Sequence, residues 1–174
     1  MAKKITNNLD KQISHFQQVW GSHWREYTIA ESSSGERIVI KVRPDSRIKE
    51  ILGGSMTHAL LWGDQVYVSE SLMRGQSDVL QKFVIAHEIG HWVTKEDLLV
   101  PGNAMESEVR ADEFAMSIYG HDKTVVAAAR ESLMTTMDLG IAKLRAINHL
   151  TPLKDIQRLA DRMAVLSERV KRLK

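Results

Sequence analysis

The sequence predicts an α+β domain in which one small β-sheet forms early and helices fill the rest of the chain. Two observations carry that reading. Residues 25–44, "REYTIAESSSGERIVIKVRP", hold two runs rich in β-branched side chains around a Ser/Gly turn, which is the pattern of a hairpin. From Ser77 onward the apolar residues recur at helical spacing, segment after segment, so strands come first and helices later. Length bounds the answer, because 174 residues suffice for one domain with a real core and are short for two.

Each element has its own signal. Leu9, Ile13, Phe16, Val19 and Trp20 sit close to helical spacing and predict a leading helix over residues 9–24. The hairpin follows, and Pro44 ends its second strand. Gly53-Gly54 marks a loop, read as a plain turn or as the hinge of a lid. In "HALLWGDQVYVSE" a Gly-Asp pair separates two short apolar stretches, and Val66, Tyr67 and Val68 predict a strand. Ser77 is a good N-cap and Asp78 suits the first turn of a helix reaching Val93. Pro101-Gly102 breaks the chain. A second helix is expected over Ala104–Tyr119 with Gly120 as its C-cap. A third is expected from Lys123 to Ile147 with an interruption at Gly140. After Pro152 a last helix runs to the end of the chain.

Composition excludes several classes. Apolar residues at 43% and charged residues at 26% are ordinary for a soluble globular protein. A net charge of +2 sets no strong field, so a nucleic-acid role is not expected. Cysteine is absent, which removes disulfides, thiolate metal sites and cysteine nucleophiles. The start, "MAKKITNNLDKQISHF", has lysines without an apolar stretch behind them, unlike a secretory signal. No apolar run approaches the roughly 20 residues of a spanning helix. The expectation is a soluble, cytoplasmic protein with no membrane span.

The chemistry concentrates in "FVIAHEIGHWV", residues 83–93. On a helix, His87 and His91 lie one turn apart on the same face. Their ring nitrogens can meet a single ion about 2 Å from each, as zinc requires. Glu88 falls roughly 100° round from His87, close enough to hold a water, take its proton and pass that proton to a leaving amine. Phe83, Val84, Ile85, Ala86, Ile89, Trp92 and Val93 make this helix apolar nearly all round, so it is expected to be buried. Polar groups inside it then need partners.

Two histidines leave a catalytic zinc site one protein ligand short. The next helix, "ESEVRADEFAMSIYG", offers Glu108 and Asp112 four apart on one face, with Ala111 and Ala115 permitting close packing. A glutamate here can close the ligand set, and Asp112 can accept a hydrogen bond from a ligand histidine and hold its tautomer. Glu106 and Glu113 compete for the ligand role.

Beyond spacing, "HALLWGDQVYVSESLMRGQSDVLQKFVIAHEIGHWV" resembles the core of the HtpX and CAAX-prenyl-protease family of zinc metallopeptidases, a gluzincin type. "EVRAD", Glu108 to Asp112, is similar to that family's Glu-x-x-Ala-Asp motif, whose glutamate is the third zinc ligand. "NHLTPLKDIQRL" is similar to its late His-Pro segment, whose histidine faces the substrate carbonyl. The resemblance implies one zinc ion on His87, His91 and Glu108, Glu88 as general base, and His149 at the oxyanion. It implies a zincin-like metallopeptidase domain over residues 1–152, stripped of the family's membrane spans. A second resemblance is to ImmA/IrrE-type peptidases, though no helix-turn-helix partner domain fits in this chain.

The implied activity is hydrolysis of peptide bonds in a protein or peptide substrate, by a metal-activated water with Glu88 as base. The strand at Gln65–Ser69 is the expected place for an extended substrate to pair. The alternative is a zinc-binding adaptor or inhibitor that keeps the fold and acts by binding; the glutamate at position 88 speaks against it, because a binding protein needs no base.

Outside the site, His15, His23, His58 and His121 lack partners at ligand spacing. Trp20, Trp24 and Trp92 read as core, while Trp62 beside Gly63 is the tryptophan best placed to line a groove. In residues 153–174, Ile156, Leu159, Met163, Leu166, Val170 and Leu173 keep a heptad spacing. That stripe either docks on the domain or forms a homodimer or partner interface. Arg158, Arg162, Arg169, Lys171, Arg172 and Lys174 read as its solvated face.

Overall fold

The computed structural model describes residues 5, 8–21, 26–54, 57–94, 104–147 and 151–173. In chain order these form α1 (Leu9–Val19), β1 (Glu26–Glu31), β2 (Arg37–Arg43), α2 (Asp45–Ile51), β3 (Ala59–Trp62), β4 (Gln65–Ser69), α3 (Glu70–Arg74), α4 (Asp78–Thr94), α5 (Ala104–Tyr119), α6 (Lys123–Arg145) and α7 (Leu153–Arg172). The fold is α+β, as expected: a small mixed sheet followed by helices.

Alternation builds the sheet. Ile38, Ile40 and Val42 of β2 point inward, each at most 2% exposed, while their neighbours face out, as a period of two requires. β1 and β2 pair antiparallel, β2 and β4 parallel, and β3 and β4 antiparallel, in the order β1-β2-β4-β3. A parallel pair needs a crossover, and α2 lies within it. The crossover is tied down by Asp45, whose carboxylate accepts from the Ser69 hydroxyl at 2.6 Å and from Ser71. Neither α2 nor α3 was anticipated, being too short to show a period.

This order corrects one expectation. β4 is flanked by β2 on one side and β3 on the other, so Gln65–Ser69 has no free edge to offer a substrate. Among the described residues, the outer strand that packs against α4 is β3.

The leading helix is shorter than its pattern: α1 starts on Asn8, whose side chain accepts from the Lys11 N–H at 3.1 Å, and its C-cap is Trp20. Residues 22–25 lie outside the described residues. Ser77 caps α4 as expected, accepting from the Leu80 N–H at 3.4 Å. α4 is the central helix, with Phe83, Ile85, Ala86, Ile89, Trp92 and Val93 all buried. It crosses α5 closely because Gly90 carries no side chain. A Cβ there would lie 2.8 Å from Ala111 Cα, inside contact distance.

α6 runs unbroken through Gly140, against the expected interruption. The glycine serves packing instead: Met163 of α7 fills the space a Cβ would take. α7 packs against α6 and α5, and Leu166 and Leu173 of the heptad stripe are buried. Gly120 closes α5, its N–H donating to Met116 O at 2.7 Å. Among the described residues, no helix is long and apolar enough to cross a membrane.

Candidate metal centre

The i, i+4 spacing on α4 brings both imidazoles to one face, and the close crossing of α4 and α5 sets Glu108 opposite them. Nε2 of His87 and Nε2 of His91 lie 3.1 Å apart. Glu108 places Oε2 at 3.4 Å from the first and Oε1 at 3.5 Å from the second. A tetrahedral ion with arms of about 2.05 Å needs ligand atoms roughly 3.3 Å apart. The two imidazole nitrogens come near that spacing, and each Glu108 oxygen approaches one of them. One ligand atom from each of His87, His91 and Glu108 lies within 4.8 Å of the others, so the three could hold a metal.

The outward nitrogens are also engaged. Asp112, 2% exposed, takes His87 Nδ1 at 2.8 Å. His91 Nδ1 lies 3.1 Å from the Ser107 hydroxyl. In the neutral rings, with Nδ1–H donating in both cases, each Nε2 lone pair faces the common centre.

Electrostatics follow from burial and contact. Burial pushes His87 down, but the Asp112 and Glu108 carboxylates outweigh it and raise its pKa to about 9. Burial raises Glu108 and Asp112 too, yet hydrogen bonds from His87 and, in turn, His91 or Arg169 hold both below the usual carboxylate range. Glu88 goes the other way. Burial raises its pKa, opposed by the histidines and by a hydrogen bond from the Leu61 backbone N–H. That bond places the Glu88 carboxylate between the His87, His91 and Glu108 cluster and strand β3.

A cleft of about 950 Å³ opens over the site. β3 forms one wall with Leu61, α4 the floor with Val84, and α6 and α7 the other side with Leu133 and Val165. His58, read from sequence as unattached, also lines it and lies 3.0 Å from Gln76 through Nε2. Trp62 at the end of β3 is 59% exposed, whereas Trp20 and Trp92 are buried as expected.

The structure therefore gathers His87, Glu88, His91, Glu108 and Asp112. It separates the competing acids, since Glu106 pairs with Arg110 and Glu113 with Arg172. His149 and residues 95–103 lie outside the described residues.

Arg169 overturns its assignment to a solvated face. Its side chain is 12% exposed and reaches from α7 into the site. Nε and Nη2 grip Asp112 at 2.7 and 2.9 Å, while Nη1 donates to Glu108 Oε2 at 2.6 Å. Burial alone lowers an arginine's pKa, but these carboxylates raise it. Arg162, seven residues earlier, lines the cleft with it, but in the sequence nothing separates the two from the other arginines of that helix. Ser107 was missed as well, being a residue type too common to single out.

No protein-family model matches the chain, and no curated protein or solved structure matches it.

Proposed function

We propose that the chain is a zinc-dependent endopeptidase with a zincin core, built at its site like the HtpX and CAAX-prenyl-protease metallopeptidases. The observation that carries this reading is the convergence of two Nε2 atoms and one carboxylate within 4.8 Å of one another, with a second, partly buried carboxylate beside them. A zinc ion held by His87, His91 and Glu108 supplies, when bound, a Lewis acid that polarises a carbonyl and acidifies water.

The chain's own residues do the rest. An extended peptide adds to the free edge of β3 by main-chain hydrogen bonds, which aligns its scissile bond along the cleft. Glu88, one bond from Leu61 on that strand, takes the proton of the attacking water and returns it to the leaving amine. Its pKa, raised by burial, suits this work, because a carboxylate above its ordinary value is a stronger base toward the water's proton. Asp112 keeps His87 in the tautomer whose Nε2 is free. Apolar lining from Leu61, Val84 and Leu133 keeps the charges strong by excluding water.

The test is elemental analysis of the purified protein together with cleavage of an unfolded protein substrate. Wild type binds one zinc and cleaves; Glu88→Gln binds zinc and does not. Zinc binding without cleavage by the wild type instead supports an adaptor or inhibitor, and a metal-free protein ends both readings.

A further inference from the structure

We infer that Arg169 of α7 is a positioning residue of the metal centre, so that ion binding and docking of the C-terminal helix are coupled. The inference rests on the zinc reading above and names what regulates that site.

One guanidinium spans two acids on α5. It holds Asp112 with two bonds and Glu108 with a third, all between 2.6 and 2.9 Å. Asp112 in turn orients His87. Arg169 thus acts on two of the three ligands at once, one directly and one through its hydrogen-bond partner. The Glu108 Oε2 it holds is also the oxygen 3.4 Å from His87 Nε2, while Oε1 lies 3.5 Å from His91 Nε2.

Stability alone is a poor account of such an arrangement. A buried ion pair recovers little beyond the cost of desolvating its members, and a leucine would fill the α5–α7 seam at lower cost. What the arginine adds is geometry. The planar fork reaches both carboxylates in one rigid plane, which a lysine's single ammonium does not.

Arg172, one turn on, shows the contrast. It pairs with Glu113 and Glu168 on the surface, and its side chain is 48% exposed. It ties the same two helices together without touching the ligands.

Coupling is reciprocal. If α7 sets the ligand geometry, then a bound ion must in turn hold α7 in place. Anything that lifts α7 from α5 loosens the ion and opens one wall of the cleft in the same movement.

The experiment uses the full chain, stripped of metal by a chelator and titrated with Zn²⁺ against a chromophoric competitor, and separately with Co²⁺. Wild type must first bind one ion; failure there sinks the zinc reading and this inference with it. With wild-type binding established, Arg169→Gln is expected to lose about 10- to 100-fold in Zn²⁺ affinity. At saturating Co²⁺ its visible d–d bands shift in position and intensity, which loss of fold stability alone would not produce. Arg169→Lys falls nearly as far, and Arg172→Gln binds as wild type does. Unchanged affinity and an unchanged Co²⁺ spectrum in Arg169→Gln overturn the inference. A measurement on the unmutated chain decides the matter if that variant does not fold. Zn²⁺ is expected to slow backbone hydrogen exchange across residues 163–173, and exchange indifferent to Zn²⁺ overturns the coupling.

Discussion

Two helix pairs dominate the molecule, and they meet in different ways. α4 and α5 cross over Gly90 and Ala111, backbone against backbone, with the polar groups between them engaged by His87, His91, Ser107 and Asp112. α6 and α7 cross over Gly140 with a flexible methionine in the notch. Leu139 and Leu153 of that second pair stay 61% and 80% exposed. The first pair is a core that carries buried charge and has nowhere to relax. The second is a cover, joined to the core's acids through Arg169 and Arg172. The candidate site sits where relaxation is blocked, as a set of ligands needs if its distances are to survive.

That contrast can be broken or sharpened by measurement. The largest effect is expected in the core. Glu88→Gln should lower kcat/KM roughly 10²- to 10⁴-fold with zinc content unchanged; retained cleavage would remove Glu88 from the chemistry.

Next come the two crossing glycines. Gly90→Ala puts a methyl against Ala111 backbone and should cost about 1–3 kcal/mol in a denaturant titration. Gly140→Ala meets the far end of Met163, which can swing away. It should cost little, since alanine recovers about 0.5–1 kcal/mol of helix preference over glycine. Equal losses at both positions would erase the distinction between core and cover.

A smaller effect is set by pH. The His87 pKa is raised to about 9 in the metal-free protein, so the ring is charged at neutrality and a metal must displace its proton. The stability this proton lends the metal-free fold is complete below the ordinary histidine value of about 6.5 and fades as pH rises through the folded value. Zinc affinity should accordingly climb by about tenfold per pH unit between pH 7 and 8. Competition titrations in that window check it, and a flat profile would mean that His87 is already neutral.

The smallest effect belongs to the cover's outer face. Leu153→Gln should shift stability by no more than about 0.5 kcal/mol, read from the same denaturant curves.

The parts of this protein that sequence determined by itself are those fixed by local spacing. An interval of four residues on a helix puts His87 above His91 whatever the rest of the chain does, and the same holds for Glu108 and Asp112 on α5. Alternating burial along β2, the cap at Ser77 and the span of α5 are local in the same sense. What only the tertiary structure decided depends on partners far away in the chain. Gln65–Ser69 looked like a strand and is one, but its place inside the sheet follows from pairing with β2 across a crossover. Glu108 was favoured over Glu106 and Glu113 through the resemblance of its motif, but its place opposite both imidazoles came only with α5 laid against α4 at Gly90. Arg169 lies 82 residues from His87 and 57 from Asp112. No periodic pattern distinguishes it from the surface arginines beside it, because its burial is set by how α7 lies on α5, not by its own helix.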